Sequence, residues 1–184
     1  FEGKNVSIAL LTAATGTLKA GTFRIEEASS IFSSFRPAEI LVKKGQADQM
    51  KEFCPECMRV STVEREKGEF DPRSSSEWLC RKWNIATMNS MGLEDRDPAC
   101  GAAAAALRYL EETQFSKALH VTQVIPLLPE EYMILDRSTV SNLELTDPPD
   151  VSLFSVLNRC RTAMGKRLLK EWILNPLRDT DIIA

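Results

Sequence analysis

"NVSIALLTAATGTLKAGTFRIEE" alternates apolar with small or polar residues on either side of Thr15-Gly16-Thr17. A period of two sends successive side chains to opposite faces of an extended chain. The stretch therefore predicts a β-hairpin, strands over 6–12 and 18–25, with Gly16 supplying the turn. Its counterpart is "ACGAAAAALRYLEETQ", residues 99–114, a helix whose alanines let it lie close against a sheet. Asp97-Pro98 starts that helix, a capping acid followed by proline at the first helical position. A sheet with such a helix on it is an α/β layer architecture.

The intervening segments extend this layout. Residues 28–35 place Ile31, Phe32 and Phe35 on one helical face, ended by Pro37. "AEILVKK" reads as a short buried strand, followed by Gly45 and a weak helix over 47–53. "MRVSTVERE" alternates again, and Pro72 opens a helix in which Trp78, Leu79 and Trp83 share a face. "MNSMGLEDRD" reads as a polar loop, and "HVTQVIPL" and "YMILD" as two further strands. Residues 1–130 thus form one α/β domain with a mixed sheet. "TDPPD", residues 146–150, is the clearest linker. After it, Leu153, Phe154, Val156 and Leu157, then Met164, Leu168, Leu169, Trp172 and Ile173, make two helical segments with no strand between them. The part after the linker is accordingly α-helical.

Among 184 residues, 43% are hydrophobic and 27% charged, as in ordinary soluble globular proteins. The net charge of −3 argues against a free-standing basic nucleic-acid binder. The charge is uneven, however: from Val151 onward six Lys/Arg face three Asp/Glu, leaving −6 on the remainder. No apolar run approaches the roughly 18 residues of a membrane span. The chain begins at Phe1 and stops among helices, so both ends read as cuts in a longer polypeptide. Five cysteines, an odd number, fit a reducing intracellular compartment, nuclear in a eukaryote and cytoplasmic in a bacterium.

Most candidate chemistry dissolves on inspection. "CPEC" (Cys54, Cys57) has no second close Cys/His pair to complete a tetrahedral zinc site. It also precedes a strand, where a thioredoxin-type motif would open a helix. Two ordinary reduced cysteines near a turn are expected, with no stoichiometric zinc and no obligate disulfide. Replacing both by serine is then expected to leave thermal stability almost unchanged. The single histidine, His120, sits in an apolar stretch and reads as a satisfied, partly buried side chain. "MGKRLL" contains Gly-Lys without the glycine-rich loop and strand of a phosphate site. A two-metal nuclease of ribonuclease H type would need a carboxylate on the first strand, and no acid lies between Glu2 and Glu26. The six basic residues of the tail read first as a solvated helical face.

The order of residues in the tail carries more. "YMILDRSTVSNLEL" and then "SLFSVLNRCRTAMGKRLLKEWILNPLRD" resemble the MutS family of DNA mismatch-repair ATPases. Asp136, Asn142, Leu143, Glu144, Leu145, Leu157, Thr162, Met164, Gly165, Arg167, Leu168, Leu169, Trp172, Pro176, Leu177 and Asp179 fit that family's entry into its helical core. Upstream, "VSIALLTAATGTLKAGTF", "RPAEILV" and the alanine-rich helix are similar to its connector domain in layout.

The resemblance implies a ribonuclease H-like connector domain without nuclease chemistry, over 1–130, and the truncated start of an all-α core and lever domain, over 131–184. It implies a non-catalytic fragment that links DNA-binding and ATPase regions in mismatch repair. ATP and magnesium would then belong to the parent and no cofactor to this stretch. Implied partners are DNA through the parent, a second MutS-type subunit in a homo- or heterodimer, and a MutL-type protein. That protein would dock partly on the helix over 73–84, whose polar positions are Ser74, Ser75, Glu77, Arg81 and Lys82. The alternative is a stand-alone or repurposed interaction module, for example from a meiotic-recombination homologue that lacks mismatch reading.

Overall fold

The computed structural model describes residues 1–28, 35, 37–57, 59–114, 117–127, 133, 135 and 137–183. The chain divides into two compact units, residues 1–29 with 37–127, and residues 30–36 with 128–184. Among the described residues no helix is long and apolar enough to cross a membrane.

In the first unit, β1 (Asn5–Thr12) and β2 (Thr17–Arg24) pair antiparallel from Asn5↔Arg24 to Thr12↔Thr17. The turn closes where the Gly16 N–H donates to the Thr12 carbonyl at 2.9 Å. Gly16 has φ +71°, and a Cβ there would meet the His120 carbonyl oxygen at 2.5 Å, so conformation and space both demand glycine. β2 also pairs in parallel with a short β5 (Val124–Pro126), at Leu18↔Val124 and Ala20↔Pro126. The resulting order β1-β2-β5 is a mixed sheet. β3 (Glu39–Lys43) and β4 (Ser61–Arg65) form a separate parallel pair. Helix α1 (Ala47–Phe53) and a 3-10 turn at Pro55–Cys57 make the crossover between them.

Two helices complete this unit. α2 (Pro72–Trp83) starts on Asp71, whose carboxylate accepts the Ser74 N–H at 2.8 Å, and ends at left-handed Asn84 (φ 53°). α3 (Pro98–Gln114) buries Ala99, Cys100, Gly101, Ala103, Ala104, Ala105, Leu107 and Leu110. Asp97 accepts both the Ala99 N–H and the Thr22 hydroxyl at 2.8 Å, fixing the helix start to β2. The small residues let α3 come close: a Cβ on Gly101 would stand 2.2 Å from the Phe70 carbonyl oxygen. Leu18, Ala20, Leu79, Met88, Leu107, Val121 and Val124 belong to the same buried cluster.

Several expected elements are shorter or different. The polar segment over 88–97 is mostly exposed, but it includes a 3-10 turn at Met88–Met91 that buries Met88 completely, and Leu93 is also buried. The Met88 N–H donates to Asp95 at 2.8 Å, which holds that turn inward. The strand expected over 120–127 begins only at Val124, because a turn, Val121 N–H to the Ala118 carbonyl at 3.0 Å, occupies its first residues. His120 is exposed in that turn, with Nε2 2.9 Å from the Ala13 carbonyl oxygen, rather than partly buried in a strand. The helix over 28–35 lies outside the described residues apart from Ala28 and Phe35. The strand over 132–136 does so apart from Met133 and Leu135, neither of which is in a strand.

The second unit, as described, contains α4 (Arg137–Asn142), α5 (Leu153–Leu157), α6 (Ala163–Leu174) and α7 (Thr180–Ile183). Ser152 caps α5 and Thr162 caps α6, each accepting the N–H three residues on. The expected linker over 146–150 is a structured turn in which Thr146 is buried and the Pro148 carbonyl accepts the Ser152 N–H at 3.1 Å.

Candidate functional site

Helix α2 has a sharply divided surface. Leu79 is fully buried, and Trp78 and Trp83 pack against the core cluster. The Trp83 indole N–H donates to the Val121 carbonyl at 3.0 Å, so that side chain is committed to the fold. Trp78 takes the Arg108 guanidinium at 4.7 Å and the Lys82 ammonium at 5.7 Å from its ring centroid.

The five polar positions named from sequence do not lie together. Ser74, Glu77 and Arg81 are exposed. Ser75 is fully buried and its hydroxyl donates to the Glu69 carbonyl at 3.3 Å. Lys82 is also turned inward, its side chain 14% exposed, with Nζ 2.5 Å from Glu111 and 2.8 Å from the Lys117 carbonyl oxygen. Ser75 thus packs on the turn that carries Glu69, and Lys82 on α3, and neither is part of an accessible face. Arg73 takes their place: it is exposed, and its Nε lies 3.4 Å from Glu77. The i,i+4 spacing of Arg73 and Glu77 was the available sequence signal. The accessible face is therefore Arg73, Ser74, Glu77 and Arg81, carrying two cations and one carboxylate. The Ser74 N–H holds the neighbouring Asp71 carboxyl below its ordinary value.

The core-entry residues have mainly backbone roles. Asp136 lies outside the described residues. Asn142 is the last residue of α4, and Glu144 follows in the left-handed region at φ 49°. The Glu144 N–H donates to the Ser141 carbonyl and the Leu145 N–H to the Val140 carbonyl, both at 3.1 Å. This is a Schellman closure with glutamate where glycine is usual. The Glu144 and Leu145 carbonyls then accept the N–H groups of Leu153 and Phe154 at 2.9 Å. "NLEL" thus ends one helix and holds the start of the next.

Gly165 donates its N–H to the Thr162 hydroxyl oxygen at 3.1 Å, and a Cβ there would lie 3.2 Å from that oxygen. Gly165-Lys166 accordingly lies in the capped first turn of α6. The Pro176 carbonyl accepts the Met133 N–H at 2.8 Å. Arg167 and Trp172 are exposed, Trp172 at 65%. Among the described residues no group of three or more His, Cys, Asp or Glu is placed to hold a metal ion. β1 carries no carboxylate.

Comparison with known proteins bears on this arrangement. Residues 1–122 match the family model of MutS domain II, and residues 138–184 that of MutS domain III. The chain is 30% identical over 186 aligned residues to a protein of Flavobacterium johnsoniae named DNA mismatch repair protein MutS. The alignment covers 100% of this chain and 21% of that relative, so the chain spans about a fifth of its length.

Proposed function

The chain belongs to the MutS family, and on that premise we propose that it is the connector and core-entry part of a DNA mismatch-recognition ATPase. The observation that carries this reading is collinearity, a domain II match followed by a domain III match in one chain. Residues 1–122 serve as a ribonuclease H-like connector, and the helices from α4 onward as the first part of an all-α core and lever. The hairpin followed by an alanine-rich helix seated on its strands supports the first assignment.

The fragment itself is non-catalytic. Its first strand supplies no metal-binding carboxylate, and the Gly165 N–H of the tail's Gly-Lys pair is held by the Thr162 helix cap. ATP and magnesium are held elsewhere in the parent, DNA is bound through the parent, and a second MutS-type subunit completes the dimer. Such a protein works inside the cell, in the compartment that holds the DNA.

Within this scheme the exposed face of α2 docks a MutL-type partner. Ser74, Glu77 and Arg81, with Arg73, offer a small charged surface whose loss leaves the buried side of the helix untouched. Charge complementarity on such a surface governs partner choice and association rate. In the full-length parent, Glu77→Lys and Arg81→Glu, made singly, are expected to lower MutL-type recruitment while leaving mismatch binding and circular dichroism unchanged. Unaltered recruitment in both removes this helix from the interface.

A further inference from the structure

We propose that Cys54 and Cys57 form a reversible dithiol site that exchanges with low-molecular-weight disulfides such as oxidised glutathione. The two Sγ atoms lie 2.7 Å apart at buried positions, a proximity that spacing alone does not establish. The backbone creates it. Cys54 follows α1, its N–H donating to the Met50 carbonyl at 3.0 Å. Pro55 then opens the 3-10 turn Pro55–Cys57, and the Cys57 N–H returns to the Cys54 carbonyl at 3.0 Å. The Val60 N–H donates to the Cys57 carbonyl at 2.9 Å, which anchors the far side of the turn before β4. The thiols are therefore held together before any bond forms, and closing the disulfide requires no rearrangement of distant chain.

Cys80 and Cys100 are poorer reactants. Burial pushes the Cys100 thiol up, with Asp97 and Asp95 adding to the effect, and burial followed by Asp95 does the same to Cys80. A thiol held protonated is a weak nucleophile. Cys57 is 9% exposed and Cys54 1%, which makes Cys57 the attacking group. Its thiolate attacks one sulfur of oxidised glutathione, forming a mixed disulfide and releasing one glutathione thiolate. Cys54, giving up its proton, then attacks the Cys57 sulfur of that mixed disulfide and releases the second. One disulfide is consumed, one is made, and the two protons lost by the cysteines end on two glutathione thiols.

The whole chain, equilibrated with excess oxidised glutathione, is alkylated and mapped by mass spectrometry. Of its five cysteines, three are expected to take the alkylating agent, with a single Cys54–Cys57 cross-link that dithiothreitol reverses. Five alkylated thiols, a lasting glutathione adduct on either residue, or a cross-link through Cys80, Cys100 or Cys160 overturns the proposal. In Cys54→Ala the resolving thiol is gone, so a stable glutathione adduct on Cys57 is expected. An unmodified Cys57 in a folded Cys54→Ala chain refutes the attacking role, and if that variant does not fold, the wild-type map alone decides.

Discussion

Gly101 stands inside an alanine run, yet alanine does not fit there. Its ideal Cβ would overlap the Phe70 carbonyl oxygen at 2.2 Å, and backbone cannot step aside as a flexible side chain can. Gly101→Ala gains helix propensity of about 1 kcal/mol. Overpacking at such a site costs about 1–3 kcal/mol. Net destabilisation is expected and is readable from the urea midpoint. The cysteine pair behaves similarly. Because Cys54 and Cys57 are buried, serine at both brings hydroxyls into that site, and the sequence-based expectation of unchanged melting gives way to a measurable loss. Acid stability has identifiable sources too. The Ser74 N–H holds Asp71 below its ordinary range, and the hydrogen bond from Arg65 does the same for Glu112. Carboxyls lowered on folding contribute stability that is present above their unfolded values, near ~4. That contribution is lost as pH falls through the folded ones. The melting temperature should hold from neutrality to about pH 5 and drop below it. In Asp71→Asn with Glu112→Gln that drop should be shallower.

At the scale of elements, caps decide where helices stop and start. Thr162 accepts the Gly165 N–H, so Thr162→Ala should destabilise α6 by about 0.5–2 kcal/mol. Glu144 occupies the left-handed closing position of α4, where a side chain costs about 1–2 kcal/mol. Glu144→Gly removes that strain and returns part of the gain as unfolded-chain entropy of about 0.4–1 kcal/mol. It should be neutral to mildly stabilising in thermal melts, whereas the β-branched Glu144→Val should be clearly destabilising. Leu79, fully buried on the inner side of α2, is the contrasting case. Leu79→Ala should cost about 2–5 kcal/mol, far more than any change on the Glu77 side of the same helix.

For the molecule as a whole, the two units differ in what they hide. The first has a buried core of aliphatic and alanine side chains. In the second, Val156, Met164, Leu168 and Trp172 are between 47% and 70% exposed, and α5 and α6 bury no residue completely. Leu168→Lys with Trp172→Lys should therefore shift the stability of this chain by no more than about 0.5 kcal/mol. The six basic residues from Arg159 to Arg178 share this unit. They should give weak DNA binding, at about 10⁻⁴–10⁻⁶ M and steeply reduced by salt. Sub-micromolar binding near physiological salt, in a fluorescence-anisotropy titration, contradicts that expectation.

Local pattern was enough to read the hairpin, its turn glycine, the Asp97-Pro98 helix start and the alanine helix. Each depends on residues adjacent in the chain or one helical turn apart, where torsional preference and periodicity act directly. The ordered matches from Asn142 to Asp179 were legible for the same reason, since they are positions along a line. Chain order could not reveal which polar residues of α2 face water. Ser75 and Lys82 look like Glu77 and Arg81 in sequence. What separates them is α3 and the Glu69 carbonyl, brought alongside by folding. Met88 and Leu93 stand among polar neighbours in the chain, and only the packed core shows that they are buried. The meeting of the Cys54 and Cys57 sulfurs likewise depends on how α1 hands the chain to a 3-10 turn. Burial and side-chain proximity are properties of three-dimensional neighbours, and those neighbours exist only once the layers have closed.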